Sequence, residues 1–292
     1  MFERLGLIGC GLMGGSFALA LRQAGLVRQI AGFSASAATT QRALELGVID
    51  VQAGSAAEAA AGADLVLVAV PVAATEPTFA AIRAALGQDT LLMDVGSTKS
   101  DVVAAAQRAL GAALPCFVPA HPIAGKERAG VDHADATLYR GRHVILTPMA
   151  SSGARQLAQA QACWAALGAR LVEMTPAAHD TTFAAVSHLP HLLAFAFING
   201  IAGQPDGQAM LALGGPGFRD FTRIAAADPR MWRDVLLANR QDVLAQLREH
   251  RQALAQFEQQ IQAGDGDALE QLIKEASGVR ARWHMDSLKP GT

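Results

Sequence analysis

Residues 5–16 decide the fold of this chain, and they have the sequence Leu5-Gly6-Leu7-Ile8-Gly9-Cys10-Gly11-Leu12-Met13-Gly14-Gly15-Ser16. An apolar run that opens almost at the first residue breaks into closely spaced glycines and then resumes with helical periodicity. This order predicts a strand, a tight turn and a helix, which is the context of a dinucleotide-binding fingerprint. Glycine-rich turns also serve other purposes, so a tight turn without a ligand is the alternative.

The three glycines of the fingerprint have different expected roles. Gly9 supplies the backbone angles of the turn, Gly11 leaves the backbone open to a pyrophosphate, and Gly14 lets the helix pack close to the strand. The first N–H groups of the helix, around Leu12 and Met13, are free to bind the phosphates. We therefore predict that these five residues bind a dinucleotide cofactor.

Length and composition are those of a well-packed globular protein with room for two domains. The 292 residues are 51% hydrophobic and 17% charged, and the formal net charge is −2. This charge argues against a nucleic acid or an acidic membrane as a partner recognised by bulk charge. No apolar run approaches the roughly 20 residues that span a bilayer, and a strand opens the chain. We therefore expect neither a membrane segment nor a signal peptide.

The cysteines indicate a reducing compartment. Cys10, Cys116 and Cys163 are widely spaced and form no CxxC pair. We expect three reduced, mostly buried thiols in a cytoplasmic protein, and no metal site.

The choice of cofactor depends on the loop that follows the second predicted strand, residues 29–33. An NAD-selective site has an Asp or Glu about 20 residues beyond the fingerprint, where it binds the ribose 2′-hydroxyl. This loop has no acid and offers the hydroxyls of Ser34, Ser36 and Thr39, with Arg42 one helical turn further. The pattern favours NADP, and NAD is possible if these residues only form a loop and a helix cap.

Strands and helices alternate over the first 175 residues, which predicts a doubly wound, Rossmann-type α/β domain. Val70 and Pro71 end a continuous apolar strand at the carboxyl edge of the sheet, where ligands bind in such folds. We expect the strands after residue 89 to complete the same sheet. Those strands are predicted at residues 90–96, 116–119, 143–148 and 169–174.

The pattern changes after Thr175, and no further strand is predicted. One helix is expected from Pro176 to about residue 202 with a kink at Pro190, and a long helix from Asp228 to about residue 263. We divide the chain into a dinucleotide-binding domain, 1–175, and an all-helical substrate and dimerisation domain, 176–292. Helices rich in Leu, Ala and Phe commonly pack against a second copy, so we expect a homodimer.

Two candidate catalytic residues follow predicted strands. His121 lies beyond the strand at 116–119, beside the expected nicotinamide, where an imidazole can take a proton from an alcohol as hydride leaves. Ser97 ends the neighbouring strand and can hydrogen-bond this imidazole or a substrate hydroxyl. A polar loop histidine and a helix-capping serine are the alternatives.

The helical half contributes candidate substrate ligands. His188 and His191 are three residues apart and share a helix face. Arg219 and Arg223 are one turn apart, with Asp220 placed to orient Arg223. Two cations that converge on a cleft suit a small acidic substrate, whereas a solvated basic face is the alternative.

Five segments in this order resemble the prephenate/arogenate dehydrogenase family of tyrosine biosynthesis, and the resemblance covers nearly the whole chain. They are GCGLMGGS, DVGSTKSD, HPIAGKERAGV, AVSHLPHLLAFA and FRDFTRIAAADPRMW. The resemblance implies oxidative decarboxylation with hydride transfer to NAD(P)+. The product is 4-hydroxyphenylpyruvate from prephenate or tyrosine from arogenate, and the choice between the two substrates stays open.

The matching motifs imply roles for individual residues. His121 is the catalytic histidine on the ring hydroxyl and Ser97 its partner. His191 and Arg223 contact the substrate, and Arg223 holds a carboxylate. The remaining positions near the cleft are Glu127, Arg219 and Trp232. Two alternatives are a β-hydroxy-acid dehydrogenase of the same architecture, which generally uses a lysine as acid and base, and a non-catalytic NADP-binding sensor dimer.

Overall fold

The computed structural model describes residues 1–126 and 128–284. The chain divides into two compact units, Met1–Asp242 and Val243–Thr292. The predicted division at residue 175 follows the change from α/β to all-helical structure rather than compactness, and it stays a prediction.

The strands of the described residues form two sheets. Their bounds are β1 Phe2–Ile8, β2 Val27–Phe33, β3 Val51–Gln52, β4 Leu65–Val68, β5 Leu91–Asp94, β6 Phe117–Val118, β7 Ala120–Pro122, β8 His143–Leu146 and β9 Arg170–Glu173. The first sheet is parallel and has the order β3-β2-β1-β4-β5-β6. This order reverses between β1 and β4, and ligands bind beyond the carboxyl ends of the strands at such a point.

The expectation of one continuous sheet is wrong. β7 pairs antiparallel with β8, and β8 pairs parallel with β9, in a separate three-stranded sheet. Pro119 lies between β6 and β7, and because proline has no N–H it cannot donate a ladder hydrogen bond there. His121 therefore lies within a strand of the second sheet, opposite Ile145, and not in a loop after the first sheet.

The helices of the first half alternate with the strands and cover the first sheet, as the α/β fold class predicts. Their bounds are α1 Leu12–Gln23, α2 Ala37–Glu45, α3 Ala56–Ala60, α4 Thr75–Ile82, α5 Ser100–Ala109 and α6 Ala154–Ala166. One apolar cluster contains Phe17 and Trp164 and the other contains Phe79 and Phe117, with ring centroids 4.9 and 5.0 Å apart. The three cysteines are free and buried, as expected.

The second half is helical in its described residues, which confirms the predicted change of fold type. The bounds are α7 Pro176–Phe183, α8 Leu189–Ala202, α9 Gly207–Ala212, α10 Pro216–Thr222, α11 Pro229–Ala238, α12 Arg240–Ala263 and α13 Gly266–Arg282.

A single π-helical turn, Ala184–His188, joins α7 to α8. The irregularity therefore precedes Pro190, which is the second residue of α8. Single π turns inside helices are frequent at functional sites. Here the turn ends at His188.

The segment Pro176–Ala202 also departs from an expectation. It forms a helix of 27 residues with a mean hydropathy of 1.4, long and apolar enough by length and composition to cross a membrane. However, it carries the buried polar side chains of His179, Asp180 and His188. Polar groups of this kind are costly in lipid. Here His179 and Asp180 are hydrogen-bonded to other protein groups, and Nδ1 of His188 accepts from Asn239.

The long helix predicted from residue 228 to 263 is broken at Asn239, which lies between α11 and α12 with φ −100° and ψ 33°. In the second unit, α13 begins at an Asp265 cap after Gly264. Large apolar side chains of this unit are exposed, among them Ile261 and Val279 at 65% and 64%.

Candidate active site

The fingerprint turn has the geometry that the sequence predicts. Gly9 has φ +99°, and a Cβ on it would lie 2.2 Å from the carbonyl oxygen of Ala69. A Cβ on Gly14 would lie 2.1 Å from the carbonyl oxygen of Gly9, so any side chain would separate α1 from the turn. At Gly11, by contrast, a Cβ would meet no atom within 4 Å. The turn is therefore tight on its inner side and open where a pyrophosphate would approach the backbone.

Leu12 and Met13 form the first turn of α1, whose N–H groups have no acceptor within the helix. Val70 and Pro71 follow β4, so they lie at the same edge of the sheet as the turn after β1. The residues at this edge fit a dinucleotide.

The loop after β2 is held by its own hydroxyl groups. Ser34 Oγ accepts the N–H of Cys10 at 2.8 Å, which ties the loop to the fingerprint turn. Ser36 caps α2 by accepting the N–H of Thr39, which lies half-buried in the first turn of that helix. The residue that directly follows β2 is Ser34, and not the Asp or Glu of an NAD-selective site.

Arg42 is the cation next to this loop, and it is engaged by carboxylates. Its Nε lies 2.8 Å from Asp132 and its Nη1 lies 3.3 Å from Glu45. These hydrogen bonds raise the pKa of Arg42. A ribose 2′-phosphate would have to compete with both acids for this side chain.

A chain of hydrogen bonds runs inward from His121, the predicted base. His121 Nδ1 lies 2.8 Å from Nε2 of His179, and His179 Nδ1 lies 2.8 Å from Oδ1 of Asp180. The Asp180 carboxylate also accepts the backbone N–H groups of Lys99 and Ser100, each at 2.8 Å. Neither His179 nor Asp180 is among the site residues predicted from the sequence.

A buried ion pair holds the backbone next to His121. Lys99 Nζ lies 2.5 Å from Oδ2 of Asp94 and donates to the carbonyl of Ala120 at 2.9 Å. Asp94 Oδ1 accepts the N–H of Ala120 at 3.0 Å. The pair therefore ties the end of β5 to the first residue of β7.

The electrostatics of the site favour neutral histidines. Burial lowers the pKa of His121 well below its usual value, and the neighbouring His179 and Lys99 lower it further. Burial also lowers the pKa of His179, although Asp180 opposes this effect. Burial acts to raise the pKa of Asp180, but hydrogen bonds from His179 and Ser100 outweigh it, so the net shift is downward. At neutral pH, His121 is thus an uncharged base and Asp180 a carboxylate.

His188 belongs to the same cluster through Asn239. The side-chain N–H₂ of Asn239 donates to the backbone carbonyl of Asp180 at 2.8 Å and to Nδ1 of His188 at 3.1 Å. The proton of His188 is therefore on Nε2, and the backbone of Ser97 lies close enough to favour the charged form of this ring. Burial lowers the pKa of His188 to about 4. The sequence signal for Asn239 was a poor helix former within a continuous helical pattern.

His191 and Trp232 form an aromatic wall. Their rings stack with centroids 3.6 Å apart and an interplanar angle of 21°. His191 Nδ1 donates to the carbonyl of Ser187 at 2.9 Å, which leaves Nε2 as an acceptor. Burial lowers the pKa of His191, and the nearby charge of Arg223 lowers it further. The ring of His188 lies 6.1 Å from that of Trp232, so this wall adjoins the His121 cluster.

The predicted arginine pair is only partly supported. Asp220 pairs with Arg219 at 3.1 Å, and its expected role in orienting Arg223 stays a prediction. Residues 219 and 220 are adjacent and both exposed, which makes this local pairing easy. Arg223 begins a short 3₁₀ segment and acts electrostatically on His191. Glu127 lies outside the described residues.

The structure brings most predicted site residues together. His121, His188 and the backbone of Ser97 share one cluster, and His191, Trp232 and Arg223 adjoin it. Nδ1 of His121 bonds to His179 and not to Ser97, so the predicted Ser97 contact stays a prediction. Residues 1–126 and 128–284 contain no group of three or more His, Cys, Asp or Glu arranged to hold a metal ion. A neutral base, an aromatic wall and a cation suit a ring substrate that carries a carboxylate.

Two family models match the chain. The nucleotide-binding domain of prephenate dehydrogenase matches residues 17–173, and the dimerization domain of prephenate dehydrogenase matches residues 175–275. A cyclohexadienyl dehydrogenase of Zymomonas mobilis is 33% identical over 282 residues, which are 96% of this chain and 96% of the relative. A prephenate dehydrogenase of Bacillus subtilis is 32% identical over 282 residues, 96% of this chain and 76% of the relative.

A solved structure agrees with these matches. Prephenate dehydrogenase from A. aeolicus, in complex with hydroxyphenyl propionate and NAD+, has a TM-score of 0.90 at 33% identity. The alignment covers 96% of this chain and 98% of that one.

Proposed function

The chain belongs to the prephenate dehydrogenase family, and we propose that the site around His121 carries out the reaction of that family on prephenate, arogenate or both. The reaction is an oxidative decarboxylation of a cyclohexadienol carboxylate in tyrosine biosynthesis. The observation that carries the proposal for this site is the buried, uncharged imidazole of His121, adjoined by an aromatic wall and Arg223.

His121 takes the proton of the ring hydroxyl in this proposal. A bound nicotinamide dinucleotide supplies the hydride acceptor. As the carbinol carbon becomes a ketone, electrons are drawn from the ring, CO₂ leaves and the ring becomes aromatic. The protein must align the substrate and remove one proton, and a neutral histidine suits that task.

The remaining predicted residues position the substrate. Nε2 of His191 accepts a hydrogen bond, Trp232 supplies a flat apolar surface for the ring, and Arg223 binds a carboxylate. Ser97 orients the hydroxyl group. Arg219 is 76% exposed in its side chain and paired with Asp220, so we propose that it lies at the rim of the site.

The ribose pocket is proposed to admit both NAD and NADP. It lacks the carboxylate that selects NAD, and its nearest cation, Arg42, is held by Asp132 and Glu45. The relative from A. aeolicus contains NAD+. The preference for NADP that the sequence favours rests on the hydroxyls of Ser34, Ser36 and Thr39, and it stays a prediction.

We also propose that the chain works as a cytoplasmic homodimer. The match to a dimerization domain supports the dimer, as do the exposed apolar side chains of α12 and α13. The three free thiols support a reducing compartment.

The structure disfavours the β-hydroxy-acid dehydrogenase alternative, because such enzymes generally use a lysine as acid and base. Lys99, the lysine next to His121, is completely buried and paired with Asp94. It donates to groups of the protein itself, so it is not available to a substrate.

The test is the absorbance of the reduced cofactor when the protein is mixed with each dinucleotide and with prephenate or arogenate in parallel. We expect reduction with at least one substrate, and comparison of kcat/KM identifies the preferred pair. A protein that binds a dinucleotide tightly but reduces it with neither substrate would instead be a sensor.

A further inference from the structure

The hydrogen-bond chain from Asp180 to His121 has a direction, and its protons can be assigned one by one. The Asp180 carboxylate is ionised and accepts the N–H groups of Lys99 and Ser100. A carboxylate only accepts, so His179 must donate to it from Nδ1. Because His179 is neutral, its Nε2 then carries no proton and is an acceptor.

The assignment continues to His121. Its Nδ1 lies 2.8 Å from the acceptor Nε2 of His179, so His121 must donate from Nδ1. The opposite tautomer of His121 would place two nitrogen lone pairs against each other at this distance. Nε2 of His121 is therefore the nitrogen that can accept a proton.

Packing fixes both imidazole rings of this chain. Phe183 lies against both, with its ring centroid 4.9 Å from that of His121 and 4.5 Å from that of His179. His179 is completely buried. The backbone of Asp180 is held from the other side by Asn239. Neither the rings nor the carboxylate can turn without breaking several contacts.

We propose that His179 and Asp180 are positioning residues that hold His121 in the tautomer protonated on Nδ1, with Nε2 as the base. The proposal rests on the proposed function of His121 as the proton acceptor. It also explains why the completely buried His179 lies beside an anion. When His121 takes the substrate proton, its Nδ1–H bond to His179 strengthens, because the donor is then charged.

Two substitutions of His179 distinguish a positioning role, which needs its hydrogen bonds, from a structural role, which needs only its volume. In His179→Gln, the amide oxygen can accept from His121 while the amide N–H₂ donates to Asp180, so the direction of the chain is kept. In His179→Phe, the ring volume is kept but both hydrogen bonds are lost. A merely structural role would be served better by Phe than by Gln.

The readouts are steady-state kinetics and the ¹⁵N NMR signals of the His121 imidazole in the full-length protein labelled with ¹⁵N-histidine. The signals are assigned by their loss in His121→Gln. We expect wild type and His179→Gln to show Nδ1 protonated and Nε2 bare, with kcat within about tenfold of each other. We expect His179→Phe to show mixed tautomers, a kcat roughly 100-fold lower and a KM changed by less than threefold.

The outcomes distinguish the two proposals. If the wild type shows mixed tautomers, or if His179→Phe keeps the single tautomer and its kcat, the positioning role is wrong. Equal loss of kcat in both variants with unchanged His121 signals would also overturn it. If the wild type shows the single tautomer but turns over neither substrate, the positioning stands and the proposed function fails.

Discussion

The stability of the protein should depend on pH through His188, and the structure allows the size of the effect to be worked out. The pKa of His188 is about 4 in the folded protein because the side chain is buried, against about 6.5 in an unfolded chain. Since the folded pKa is the lower one, the unfolded chain binds the proton first as the pH falls. The contribution of neutral His188 to the free energy of unfolding is therefore complete above about pH 6.5, and it is lost between that pH and about pH 4. Between pH 8 and pH 5 the loss is about 2 kcal/mol.

The assay is chemical unfolding of wild type and His188→Gln at fixed protein concentration from pH 8 to pH 5. The Gln amide oxygen can still accept from Asn239 but does not titrate. The advantage of the wild type over the variant should therefore shrink by about 2 kcal/mol across this range, while carboxylates titrate equally in both. Val186→Ala is the control, since Val186 lies in the same π turn, is 66% exposed and has no charge. A difference between wild type and His188→Gln that stays constant within about 0.5 kcal/mol would refute the assignment of His188 as a buried neutral group.

Three further predictions concern catalysis and binding. His121→Asn should lower kcat by roughly 10²–10⁴ with little change in KM. The pH–rate profile of the wild type should show a loss of activity below about pH 6.5, and that of the variant should not. If the variant keeps this acid limb, another group is the base. Arg223→Ala should raise the KM for the substrate tenfold or more, because about 2–4 kcal/mol of substrate binding energy is lost. The affinity for the dinucleotide, measured by titration, should be unchanged. An equal loss of affinity for both ligands, or a similar effect of the exposed control Arg230→Ala, would contradict the contact between Arg223 and the carboxylate. In Ser34→Asp the new carboxylate can still accept the N–H of Cys10, but it also accepts from a ribose 2′-hydroxyl and repels a 2′-phosphate. The ratio of kcat/KM with NAD to kcat/KM with NADP should therefore rise. An unchanged ratio would show that this loop does not contact the ribose.

The fold was largely predictable because its deciding features are local. The glycine spacing from Gly9 to Gly14 follows from backbone sterics within one turn, and the alternation of strands with helices follows from periodicity. The second sheet was not predictable in the same way. Its separation at Pro119 depends on which strand β7 pairs with, and that pairing is a property of the tertiary structure.

The site residues that lie in sequence motifs could be predicted, whereas those that reach the site only through the packing of distant helices and strands could not. His121, His188 and His191 stand in recognisable segments, so the sequence identified them. His179 and Asp180 lie 58 and 59 positions from His121 in the chain, and only the packing of α7 against α5 and β7 brings them into line. Asn239 likewise falls within a continuous helical pattern, and only the tertiary structure shows its hydrogen bonds to Asp180 and His188.

The buried pair of Lys99 and Asp94 has a consequence for how this sequence can change. Loss of either partner alone leaves an uncompensated charge with no access to water, which is strongly destabilising. Joint replacement by apolar residues of similar volume removes both charges, and what it then loses is the pair's hydrogen bonds to the backbone of Ala120. The two positions are therefore epistatic: each substitution is tolerated only in the background of the other. Laboratory evolution that proceeds by single steps should leave both residues in place, and a library that varies this region will reach new solutions only if it mutates the two codons together.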